Sequence, residues 1–121
     1  MIITRHDLLR ILVLNEASDG YQDFERIERE SKLVAIRCGV VPTSDEIAAA
    51  ISKLIRDGLL KSVWLSPHDP PREIVGVPSV TDFHRVYFFQ TKSGEQEHAA
   101  SLWPLDDEGN VLRDVRVVSD H

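Results

Sequence analysis

The stretch over residues 42–60, P-T-S-D-E-I-A-A-A-I-S-K-L-I-R-D-G-L-L, constrains this chain more than any other, because every signal of one complete amphipathic helix falls inside it in order. Thr43 stands as the N-cap with Glu46 three residues on, a capping box that satisfies two of the amides left open at a helix start. Ile47, Ile51, Leu54 and Ile55 recur at i, i+4, i+7 and i+8, which lines them up as one buried stripe. Gly58 closes the helix, since glycine enters the left-handed conformation cheaply, and Leu59 is placed to fold back on Leu54.

Two weaker helices precede it. Thr4 with Asp7 is a capping pair, and Leu8, Leu9, Leu12 and Val13 repeat at helical spacing to about residue 16. After the turn cluster Ser18-Asp19-Gly20, the residues Phe24, Ile27, Ser31, Val34 and Ala35 trace a second stripe, predicting a helix to about residue 37 with Gly39 as its cap. Val40-Val41-Pro42 makes an extended link.

Strands follow. Residues 62–66 read as a strand with Val63 and Leu65 on one face and Trp64 on the other, broken by the run Pro67-His68-Asp69-Pro70-Pro71. Residues 74–77 suggest a short strand, and residues 85–90 a clear one, pairing antiparallel with 62–66 across a long connection. Thr91 caps a short helix over residues 95–102, which Pro104 stops. Asp106-Asp107-Glu108-Gly109-Asn110 is a polar turn, and residues 111–118 alternate as a strand with Val111, Val115 and Val117 on one face.

A length of 121 residues fits one domain with a core of its own. We divide it into a domain over residues 1–102 and an acidic C-terminal extension over 103–121 that packs on the domain or on a second subunit. The formal charge is −6, unevenly spread: residues 1–91 carry 11 basic and 13 acidic side chains, and residues 92–121 carry 3 and 7. That balance opposes indiscriminate binding to nucleic acid yet leaves room for one basic face. The single Cys38 rules out an intramolecular disulfide, and no apolar run approaches a membrane span, so a cytoplasmic protein that does not meet the membrane is expected.

The order helix, helix, capped helix, strand, long turn, strand, helix carries a resemblance. The stretch E-I-A-A-A-I-S-K-L-I-R-D-G-L-L, followed by Y-F-F-Q-T-K-S-G, resembles the third helix and wing-closing strand of bacterial winged-helix proteins of the MarR-like and PadR-like arrangement. It is similar too to small winged-helix proteins that enter this helix through a Pro-Thr-x-x-Glu step, as Pro42-Thr43-Ser44-Asp45-Glu46 does. The resemblance covers roughly residues 4–102. It implies an α+β winged helix: a three-helix helix-turn-helix core, a long β-hairpin wing, and a C-terminal helix with a strand or hairpin extension. It further implies that the capped helix is a recognition helix for a DNA major groove and that the wing touches the backbone.

On that helix Ala49, Ser52, Lys53 and Arg56 lie opposite the apolar stripe, so Ser52 is expected to meet a phosphate or base edge, and Lys53 and Arg56 guanine or phosphate. Arg72 is the wing candidate. The bland alternative is a solvated helix face favoured by the C-terminal dipole, and in the wing Lys61, Arg72 and Arg85 are balanced by Asp69, Glu73 and Asp82.

Nothing in the pattern points to an enzyme or a cofactor. His6, His68, His84, His98 and His121 are scattered, and none stands at zinc spacing with Cys38 or with another histidine. The glycines are isolated, no Gly-x-Ser-x-Gly occurs, and the acidic stretch 106–110 lacks the closing glutamate of a calcium loop. Cys38 reads as a small buried hydrophobe more readily than as a reactive thiol. Two functions therefore stand side by side: a homodimeric DNA-binding regulator using Ser52, Lys53, Arg56 and Arg72, or a protein-interaction module with Trp64 or Trp103 as aromatic anchors.

Overall fold

The computed structural model describes residues 1–119, and in it the chain is α+β, with four α-helices and a four-stranded antiparallel sheet. The elements are β1 (Ile2–Thr4), α1 (Arg5–Glu16), β2 (Gln22–Asp23), α2 (Phe24–Arg37), α3 (Ser44–Arg56), β3 (Leu60–Ser66), β4 (Asp69–Glu73), β5 (Tyr87–Gln90), α4 (Lys92–Ala100) and β6 (Arg116–Val118). Short 3-10 turns at Ala17–Asp19 and Val80–Arg85 lead into β2 and β5. No helix among the described residues is long and apolar enough to cross a membrane.

Each helix starts where its side-chain chemistry satisfies the open amides. Thr4, Asp23, Thr43 and Thr91 all accept from the amide three residues on, and at Thr43 the Glu46 carboxylate returns a bond to the Thr43 amide at 3.1 Å. α3 ends as the sequence leads one to expect: Leu59 N–H donates to Leu54 C=O at 2.9 Å and Gly58 N–H to Ile55 C=O at 3.0 Å, with Gly58 at φ 78°. The same paired closure ends α2 through Gly39 and Val40.

The main core lies between α1, α2, α3 and one face of the sheet. Leu9, Val13, Ile27, Ile47, Ile51 and Leu54 meet there, with Phe83 edge-on to Phe24 at 5.6 Å and to Phe88 at 5.2 Å between ring centres. A smaller cluster on the far side of α1 joins Leu8 and Leu12 to Ile3, Ala35 and Val40, and Trp103, Val115 and Val117 pack against it. α1 is therefore buried on two sides, which is why Leu12, Val13 and Leu14 are consecutive and all inaccessible.

Strand order in the main sheet is β2-β5-β3-β4, so β5 sits centrally and β4 forms an edge. Here the sequence expectations need correction. The connection after β3 is not a long bare loop: the proline-rich run expected to end strand structure supplies β4, which pairs Val63 with Glu73, Trp64 with Arg72 and Ser66 with Asp69. Pro70 and Pro71 are tolerated because β4 is an edge strand and the register slips between Trp64 and Ser66, so their missing amides interrupt no regular ladder. The strand expected over residues 74–77 does not form, and β5 begins at Tyr87 because residues 80–85 wind into the 3-10 turn that inserts Phe83 into the core.

On β3 the expected faces hold only in part: Val63 is buried, but Leu65, expected beside it, is not. Leu60, Ser62 and Trp64 turn toward the helices, while Leu65 is exposed. The C-terminal strand is also shorter than expected: only Arg116–Val118 form β6, paired parallel with β1, while Val111 bridges Leu105 across the Asp106 turn. The fourth helix likewise starts at Lys92, three residues before the expected start.

Candidate functional site

α3 presents Asp45, Ala49, Lys53 and Arg56 to solvent, and two ion pairs from α1 brace it. Arg5 forks onto the Glu46 carboxylate at 2.7 and 2.9 Å and also donates to Val41 C=O at 3.0 Å. That guanidinium holds the Glu46 carboxyl down at about 2. Near the other end of α3, Arg10 donates to Asp57 at 2.9 Å and, through its Nε, to Glu97 of α4 at 3.0 Å. Arg10 opposes its own burial with these bonds and ends above the ordinary arginine value, while Asp57 is held below the usual carboxylate range. Lys53 and Arg56, by contrast, hold no ion pair among the described residues.

Between α1 and α3 runs a groove of about 340 Å³. Leu9, Ala49 and Ala50 supply its apolar surface, and Lys53 and Arg56 stand on its α3 wall. Ala49 and Ala50 leave the space open, since their side chains are short.

Ser52 is not where the sequence reading puts it. It is only 7 % exposed, beside Ala48 on the flank of the apolar stripe, and cannot reach a groove of DNA from there. The stripe is wider than the branched residues alone suggest, taking in Ala48 and Ser52 one turn apart. Small residues at i and i+4 on the edge of an apolar stripe were the available signal, overridden by the polarity of serine.

The tryptophans are likewise committed. Trp64 packs on the main core with the Arg85 guanidinium 5.6 Å from its ring centre, and Trp103 packs on the smaller cluster, so neither is a free anchor. Arg72 is exposed on β4 opposite Trp64, and Lys61 and Glu73 pair beside it at 3.4 Å. Of the wing cations, Arg85 thus lies over Trp64, Arg72 pairs across from it and Lys61 is taken up by Glu73.

Sequence reasoning gave no hint of a polar network on α4. Gln90 Nε2 donates to Leu14 C=O at 2.6 Å and faces His98 Nδ1 at 3.3 Å, while His98 Nε2 lies 3.0 Å from Asn15 Oδ1. Since the Gln90 amide must donate to the carbonyl, His98 Nδ1 accepts and Nε2 carries the proton that Asn15 receives. This ties α4 to α1 and β5, and the histidine is a strut with both nitrogens occupied. His84 pairs with Glu25 at the surface, edge-on to Phe24 at 5.4 Å, and lowers that carboxyl below its usual range. Burial pushes the Cys38 thiol up, the opposite of an activated nucleophile. Comparison of the sequence with models of protein families and with curated proteins finds no match.

Proposed function

We propose that the chain is a winged-helix protein that binds double-stranded DNA, with α3 as the helix that enters the major groove and the β3–β4 hairpin as the wing. Supporting the fold reading is the connectivity: α2 and α3 in succession, then a hairpin whose first strand returns to pair with β5, itself joined to β2 between α1 and α2. The observation that carries the functional reading is the contrast on α3. Its two outward cations, Lys53 and Arg56, have no ion-pair partner among the described residues, while Glu46 and Asp57 on the same helix are taken up by Arg5 and Arg10. Phosphates would meet two cations that form no ion pair among the described residues, on a helix braced by Arg5 and Arg10. Arg72 adds a wing contact.

Selection from random duplexes at about 50 mM salt, where phosphate contacts are strongest, tests this. An enriched sequence is expected, with binding lost on joint replacement Lys53→Ala and Arg56→Ala, and with a salt slope smaller by about one in a single replacement that removes one phosphate contact. No retention at that salt would end the DNA reading. We read the active form as a homodimer. With Val115 and Val117 covered within the chain, the apolar surface left for a second copy includes Met1, Ile2 and Leu102, all exposed. A sedimentation measurement that finds only monomer at high micromolar concentration would remove that part.

One observation favours a second reading, a protein-interaction module that leaves DNA alone: Val75 is fully exposed, and Val77 and Val80 beside it are exposed as well. On that reading the double variant in α3 keeps its partner and Val75→Asp loses it.

A further inference from the structure

α3 is braced at both ends, but through different parts of the chain. Arg10, which holds Asp57 near the C-terminal end, takes its partners from α3 and α4. Arg5, which holds Glu46 in the first turn, follows directly on β1, and β1 is a strand only through β6: Ile2 pairs with Arg116, Ile3 with Val117 and Thr4 with Val118, and Arg116 N–H donates to Met1 C=O at 2.8 Å. The link that leads into α3 depends on the same segment. Val40 is buried in the smaller cluster against which Trp103, Val115 and Val117 pack, and the next residue, Val41, accepts from Arg5 through its carbonyl at 3.0 Å. A third tie reaches the end of α2, where Arg37 donates to Gly109 C=O at 2.8 Å. Gly109 sits at φ 82°, and a Cβ there would collide with that guanidinium, so this turn accepts the arginine only as glycine.

The main core contains no described residue of the extension. α1 gives Leu9 and Val13 to that core and Leu8 and Leu12 to the smaller cluster, so the smaller cluster can open without uncovering the larger one. We propose that residues 103–119 form a clasp that sets the pose of α3: when β6 leaves β1, the Arg5 fork and the link through Val40 and Val41 lose their support, and the start of α3 is released while the sheet and the main core stay packed. The coupling runs through contiguous contacts, from Val117 to Ile3, along β1 to Arg5, and from Arg5 to Glu46 and Val41. A partner that captures the extension acts on α3 without touching it. None of this rests on what α3 binds.

The test compares two arginines in the full chain at neutral pH. Val117→Asp puts a carboxylate into β6 opposite Ile3, and the side-chain Nε–H resonances of Arg5 and Arg10 are followed by NMR in the parent and the variant. The Arg5 resonance is expected to move to that of a solvated arginine, with solvent exchange at least about tenfold faster, while that of Arg10, bonded to Glu97, and the methyl resonances of Ile51 and Leu54 keep their places. An Arg5 resonance that stays in place, or Arg5 and Arg10 changing together, would overturn the clasp. If Val117→Asp does not fold, the milder Val117→Ala is combined with Glu46→Gln in urea unfolding. The factor by which Glu46→Gln lowers the folding constant is expected to be at least about threefold smaller beside Val117→Ala, whereas the factor for Asp57→Asn is the same with or without it. Full additivity between Val117→Ala and Glu46→Gln would overturn the proposal as well.

Discussion

Glu46 can be separated into its two roles by a single substitution. Its carboxylate closes the capping box of α3 by accepting from the Thr43 amide and also receives the Arg5 fork from α1. Glu46→Gln keeps an oxygen that can serve the capping box and removes the charge. A carboxyl held from 4.5 in the unfolded chain down to about 2 in the folded one corresponds at most to about 3.4 kcal/mol, at about 1.36 kcal/mol per pH unit. Both partner side chains are 34 % exposed, so solvent screening reduces this, and we expect about 1 to 2 kcal/mol at pH 7. The sign follows from the lowered folded-state value: the stabilisation is complete above 4.5 and is lost as pH falls toward 2. Urea unfolding of the parent and of Glu46→Gln should therefore give a difference of about 1 to 2 kcal/mol at neutral pH that closes progressively below about pH 4.5. Other carboxyls titrate in both proteins and cancel in the difference. A gap that stays constant from pH 7 to pH 3 would show that the amide fails as a cap and that the Arg5 charge contributes nothing.

Three further expectations follow from packing. A Cβ on Gly94 would stand 2.1 Å from the Leu59 carbonyl oxygen, where backbone must move, so Gly94→Ala should lower stability by about 1 to 3 kcal/mol in thermal unfolding. The Ser62 hydroxyl is fully buried with no hydrogen-bond partner among the described residues, so Ser62→Ala should leave stability unchanged or raise it by about 1 kcal/mol, whereas a clear loss would reveal a bond made by that hydroxyl. Deleting residues from 104 onward removes Val115 and Val117 from the cluster around Leu8 and Leu12 and removes β6 from β1; a marked fall in melting temperature is expected, and an unchanged one would mean the extension contributes no core.

Local chemistry made the helices legible and left the tertiary choices hidden. Capping at Thr4, Thr43 and Thr91 and closure at Gly39 and Gly58 are decided within a few residues, so their outcome could be read directly. β4 was missed because proline disfavours strands in general, and only the position at a sheet edge, a property of the whole sheet, makes Pro70 and Pro71 acceptable. β1 was missed for a similar reason: Ile2–Thr4 becomes a strand because β6 comes back more than a hundred residues later to pair with it. The inward turn of Trp64 and the burial of Ser52 have the same origin, since alternation and helical phase say which residues share a face but not which face another element will cover.

The same distinction governs the charge of α3. Read alone, residues 43–57 carry three acids, Asp45, Glu46 and Asp57, against Lys53 and Arg56, a surplus of one negative charge. The fold brings Arg5 onto Glu46 and Arg10 onto Asp57 from the other side of the groove. With those two arginines counted, and with Glu97, which shares Arg10, the braced helix is neutral, and Asp45, which forms no ion pair among the described residues, lies in the first turn, where the dipole favours it. Lys53 and Arg56 then stand at the opposite end, with Asp57 as the nearest carboxylate on their own helix and that carboxylate bonded to Arg10. A formal charge of −6 for the chain therefore does not describe the potential at this face, because Coulomb energies fall with distance and solvent ions screen charges beyond about 10 Å at 0.1 M salt. What an anion meets at α3 depends on the charges within that range, and there Arg5 and Arg10, even with Glu97 shared by Arg10, remove the negative surplus that residues 43–57 carry alone.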